Sequence, residues 1–88
     1  MESSFEVSLY PLTEDYETSV LTFLDALEDE GLQFSTSGMS TRIVGETGLV
    51  MEALGRQFEK IQSHGKATLM IKAGPGRLEY NGRHNREL

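Results

Sequence analysis

Phe34-Ser35-Thr36-Ser37-Gly38-Met39-Ser40-Thr41-Arg42-Ile43-Val44-Gly45-Glu46 is the stretch on which the reading of this chain turns. It lies between two amphipathic helical patterns. Hydroxyl side chains stand where a plain core strand would carry valine and isoleucine. Gly38 falls at a reversal point, so two strands joined by a tight turn are predicted. In the second, Met39, Thr41 and Ile43 share one face and Ser40, Arg42 and Val44 the other. Thr41 and Ile43 are expected inward. Two readings of the hydroxyls stand side by side: they satisfy one another across the strand pair, or they line a small-molecule pocket and orient its guest.

Upstream, Ser4-Phe5-Glu6-Val7-Ser8-Leu9-Tyr10 alternates strictly, with Phe5, Val7 and Leu9 on one side. That is a half-buried strand, and Pro11 ends it because proline donates nothing to a ladder. Thr13 is the expected N-cap of a helix, with Glu14 and Asp15 suited to its positive end. Tyr16, Val20, Phe23, Leu24 and Leu27 form its apolar stripe, and Glu17, Asp25, Glu28, Asp29 and Glu30 its wet side. Acids in the last turn oppose the dipole, so this end is expected to fray. Gly31 suits the position just past the helix.

Downstream, Gly45-Glu46-Thr47-Gly48 reads as a break before a second helix. Its buried stripe is Val50, Ala53, Leu54, Phe58 and Ile61; Glu52 and Arg56 stand one turn apart as an expected exposed pair. Gly65 stops the helix. Lys66 to Ala73 is the last strand, with Ala67, Leu69, Ile71 and Ala73 inward, and Gly74-Pro75-Gly76 closes the domain.

The order βαββαβ, with two one-sided helices, predicts an α+β ferredoxin-like sandwich. Its antiparallel sheet has strand order 4-1-3-2 and carries both helices on one face. Residues 1–76 form the domain and 77–88 a polar tail, mobile or docked on a partner. The topology sets Tyr10 and Pro11 beside Ser40 and Thr41. On the open face, Tyr10, Val44 and Met70 are expected to make an apolar centre.

With 88 residues, such a chain buries only about 60% of its unfolded surface and gains from oligomerisation. No apolar run approaches the roughly 20 residues that span a bilayer, and the first residues lack the basic and apolar regions of a signal peptide. Cysteine is absent, which excludes disulfides and thiolate chemistry and fits a cytoplasmic protein. Net charge is −6, with −7 on residues 1–76. An acidic body argues against nucleic acid, which demands a basic face.

No catalytic set stands out. His64 and His84 have no metal-like spacing with other ligands. No serine has a base placed by a motif, and Gly74-Pro75-Gly76 precedes no helix and is no phosphate loop. The chain is expected to be a binding protein, not an enzyme, with no metal and no cofactor.

Ser8-Leu9-Tyr10-Pro11-Leu12, Ser40-Thr41-Arg42-Ile43-Val44-Gly45-Glu46 and Gly74-Pro75-Gly76 resemble the YkoF-like family and the related single-domain thiamine-binding proteins. The resemblance covers about residues 4–76. It implies a ferredoxin-like domain that binds thiamine or its hydroxymethylpyrimidine portion, in precursor salvage or transport. Thiamine then enters as ligand. Family namesakes carry two tandem copies, so one copy implies a homodimer or homotetramer. The implied site comprises Ser8, Tyr10, Ser37, Met39, Ser40, Thr41 and Glu46, in which hydroxyls meet the pyrimidine edge and Tyr10 and Met39 supply walls. Glu46 lies at the far end of its strand from Thr41, where it serves another subunit's pocket or caps the second helix. Rival readings are an amino-acid-sensing domain of the ACT type, a small enzyme built at a subunit interface, and an oligomerisation module.

Overall fold

The computed structural model describes residues 1–12, 15–37, 40–63 and 65–77. The expected cap Thr13, the turn residue Gly38, Met39, His64 and the tail from Leu78 onward lie outside the described residues, as does the side chain of Tyr16. The elements are β1 (Glu2–Pro11), α1 (Tyr16–Asp29), β2 (Gln33–Thr36), β3 (Thr41–Glu46), α2 (Thr47–Gln62) and β4 (Ala67–Pro75). They build one antiparallel sheet of order β2-β3-β1-β4, as the sequence predicts. No helix among the described residues is long and apolar enough to cross a membrane.

The period-two pattern of β1 survives into the core. Phe5 pairs with Ile43 and Ala73, and Val7 with Thr41 and Ile71. Phe5, Val7, Leu9 and Ile43 are buried beneath Phe23 and Leu27 of α1 and Val50, Ala53 and Leu54 of α2. The inward side of β4 departs from expectation. Ala67 and Leu69 are half-buried, but Ile71 and Ala73 are exposed. β4 is an edge strand, and two helices cannot blanket four strands equally.

The expected break at residues 45–48 is absent. Gly45 and Glu46 still pair with Ser3 and Glu2, and α2 begins at once. A Cβ on Gly45 would meet Val50 Cγ2 at 3.0 Å, so glycine lets the helix fold straight back onto the strand. The amide of Thr47 donates to the Met1 carbonyl at 2.9 Å and secures that corner. Ser3 and Ser4 are buried as well. Ser3 Oγ hydrogen-bonds Thr47 Oγ1, and Ser4 Oγ donates to the Gly76 carbonyl. Thr47 on one side and Gly76 on the other thus cover two serines that the alternation alone assigns to opposite faces.

At the start of α1 the N-cap position is Asp15, whose side chain makes no capping bond. At its end, Gly31 takes φ +77° and its amide bonds the Glu28 carbonyl, the expected stop. The acidic last turn does not stand alone against the dipole. Arg56 Nη2 and Nε donate to Glu30 at 2.8 and 3.2 Å, and Gln57 Nε2 donates at 2.8 Å. Arg56 therefore reaches across to α1 to form its hydrogen bonds, beyond the expected neighbour Glu52 on its own helix. These bonds, Arg56 first and Gln57 second, pull the Glu30 carboxyl from 4.5 down to about 2.

A carboxyl depressed in the folded state stabilises above its unfolded pKa and loses that contribution as pH falls through the folded one. Glu30→Gln is therefore expected to lower the melting temperature by a few degrees at pH 7. The gap to the parent should close as pH falls from about 4.5 toward about 2. Thermal melts across that range check it; a gap indifferent to pH would mean the clamp contributes nothing ionic.

Candidate functional site

The hydroxyl-rich hairpin is knitted to itself. Thr41 is only 5% exposed, and its Oγ1 shares a 2.8 Å hydrogen bond with Thr36 Oγ1. Ser37 donates to the Ser40 carbonyl through its amide at 2.9 Å and its hydroxyl at 3.3 Å. This is the cross-strand satisfaction that the sequence left open as one of two readings.

The sheet also separates the residues expected to form one pocket. Thr41 faces Val7 on the helix side. Ser8 and Tyr10, one and three residues past Val7 on β1, take the open face. A single cavity cannot collect side chains from both faces of a strand. Glu46 lies five residues beyond Thr41, about 17 Å along the strand. It occupies the N-cap position of α2 without a side-chain cap and pairs with the Met1 amino group at 3.4 Å. The expected apolar centre of the open face divides too. Tyr10 and Met70 are diagonal neighbours, because Tyr10 pairs with Thr68 and Met70 with Ser8. Val44 pairs with Ser4, four residues further along β1 and about 13 Å away along the strand.

A cleft of about 520 Å³ opens elsewhere, between α1 and the C-terminal half of α2, where β1 ends and β4 begins. On α1 it is lined by Thr18, Ser19, Thr22, Asp25 and Asp29 at helical spacing, with Phe23 and Ala26 behind them. The stripe from Thr18 to Asp29 runs about 16 Å along the axis. The other wall is Gln57, Lys60 and Ile61 of α2, with Gly65, Lys66 and Ala67 leading into β4 and Pro11 ending β1. The amide of Leu12 donates to the Lys66 carbonyl at 2.9 Å and holds that end together. None of Ser8, Tyr10, Ser37, Ser40, Thr41 or Glu46 lines this cleft.

Local chemistry explains the lining. Phe23, Leu24 and Leu27 pull one side of α1 onto the sheet, leaving Thr18, Thr22 and Asp25 exposed at the edge of that contact. Ala26 is small and half-buried, so the wall stays open beside it. Gln57 is buried and already holds Glu30, which ties the cleft to the clamp between the helices. The result is an apolar floor under a rim of hydroxyls, two carboxylates and two amines. Such a lining has the apolar surface and the few placed polar groups that suit a small polar guest. The sequence does carry a signal for it: Thr18, Ser19 and Thr22 are weak helix formers placed inside a helix.

The sequence model described as the YKOF-related family matches residues 2–73. Among solved structures, a Streptococcus pneumoniae protein superposes with a TM-score of 0.79 at 16% identity, over 89% of this chain and 90% of its own. A Thermotoga maritima protein provisionally assigned to thiamine biosynthesis or salvage gives 0.76 at 12% identity, over 83% and 82%. A Bacillus cereus domain of unknown function gives 0.74 at 18% identity, over 85% and 76%. At these identities the likeness establishes the fold. No curated protein matches this chain.

Thr41→Val keeps the shape of the buried side chain and removes its bond to Thr36. It is expected to cost about 0.5–1.5 kcal/mol in a urea melt and to leave ligand affinity unchanged in calorimetry. Lost affinity with intact stability would return the site to the hairpin.

Proposed function

The chain belongs to the YkoF-related family, and from that premise we propose that it binds thiamine or its hydroxymethylpyrimidine half without converting it. The observation that carries the proposal is the interhelical cleft. Its volume falls within the few hundred to a thousand cubic ångströms typical of small-molecule sites. The name given to the Thermotoga maritima neighbour points the same way.

Each half of such a ligand finds a partner. The amine of an aminopyrimidine donates to the carboxylate of Asp25 or Asp29. Its ring nitrogens accept from Thr18 or Thr22, whose hydroxyls donate as well as accept. Phe23, Ala26 and Ile61 form the apolar floor. A thiazolium ring gains from the same two carboxylates, since an opposite charge nearby favours the cation. We further propose a cytoplasmic role in salvage or transport of thiamine precursors, which suits a binder with no conversion step.

Titration calorimetry with thiamine and with hydroxymethylpyrimidine tests the reading. Both are expected to bind, and Asp25→Asn/Asp29→Asn to weaken thiamine by about tenfold or more, the worth of a hydrogen bond to a charged group. Absence of heat at millimolar ligand removes the proposal. Thiamine should also be recovered unchanged after long incubation with the protein; a product would make the chain an enzyme.

The open face supports a homodimer or homotetramer as part of the same proposal. Tyr10 and Met70 are about half exposed there and adjoin one another. Met70→Glu is expected to shift the mass by light scattering to that of a monomer while thiamine still binds. A parent protein that is monomeric at high concentration removes this part.

A further inference from the structure

The cleft has walls of opposite sign. Asp25 and Asp29 stand one turn apart on α1. Facing them are Lys60, in the last turn of α2, and Lys66, just before β4. The chain has only three lysines and a net charge of −6, yet two of the three converge on this one cavity. All four charged side chains belong to exposed residues. Any pairing among them at that exposure is weak and gives way to a ligand.

A wall of carboxylates repels a simple anion, and a wall of ammonium groups repels a simple cation. A guest that carries both charges satisfies both walls. We propose, building on the thiamine reading above, that the cleft is shaped for a cationic heterocycle bearing a phosphate ester. Asp25 and Asp29 hold the cationic ring, and Lys60 and Lys66 hold the phosphate as two point charges. The backbone is held at both lysines: Ser63 Oγ donates to the Lys60 carbonyl at 2.6 Å, and the Leu12 amide donates to the Lys66 carbonyl at 2.9 Å. Their long stems adjust to the phosphate.

The test compares thiamine, thiamine monophosphate and inorganic phosphate by calorimetry, on the full chain and on Lys60→Gln/Lys66→Gln. In the parent, thiamine monophosphate is expected to bind about tenfold or more tightly than thiamine, the order a charge-assisted bond supplies. Inorganic phosphate is expected not to compete, because the acidic wall opposes it. In the double variant the monophosphate advantage disappears, and thiamine, itself a cation, binds at least as tightly as before because two repelling ammonium groups are gone. If the parent binds thiamine but gains nothing from the phosphate, this inference fails and the thiamine reading survives. An advantage that persists in the double variant overturns the role of the two lysines. Competition by inorganic phosphate overturns the two-signed recognition. If neither thiamine nor its phosphate binds, both readings fall together.

Discussion

β1 is hydrogen-bonded on both edges, to β3 on one side and β4 on the other. That double pairing is the constraint from which the remaining structure follows. A residue of β1 that points to the helices obliges its partners in both neighbouring strands to do the same. Phe5, Val7 and Leu9 therefore carry Ile43, Thr41 and Leu69 inward with them. A slip of one residue would present Glu6 and Ser8 to Phe23 and Leu27. The apolar surface that these residues withdraw from water makes such a slip costly.

The helices inherit their positions from this face. Each buries one stripe against the sheet, and neither can reach far over the edge strand β4. Their relative placement is secured at one end by Glu30, which accepts from both Arg56 and Gln57. The cleft lies beside that clamp, between the two helices. Gln57 belongs to both features, so the interaction that holds the helices together also supplies part of the wall of the space between them. The charged pair differs from a single surface contact in its geometry, because Nε and Nη2 of Arg56 meet the two carboxylate oxygens of Glu30 in a bidentate fork.

The hydroxyl-rich hairpin illustrates how a local pattern can carry two meanings. Serine and threonine in adjoining strands satisfy one another as readily as they satisfy a guest. Which of the two occurs depends on whether a cavity lies beside them. Thr36 and Thr41 face each other across the β2–β3 pair and bond directly. The helical hydroxyls Thr18 and Thr22 have the same chemistry but border an opening.

Alternation in β1, the two apolar helical stripes, the stop at Gly31 and the order of the strands were all legible in the amino-acid sequence. These are local signals: each depends on neighbours within a few residues, and burial of one face is enough to specify them. The opposite facing of Val7 from Ser8 and Tyr10 was legible too, since alternation alone requires it. The cleft was not. Its lining comes from residues 11, 18–29, 57–61 and 65–67, and each segment by itself reads as part of an ordinary amphipathic element, with only the helix-borne Thr18, Ser19 and Thr22 as a hint. The Glu30–Arg56 clamp, the burial of Ser3 and Ser4, and the exposure of Ile71 belong to the same class. They depend on how far one element reaches across another, a distance that only the packed chain decides.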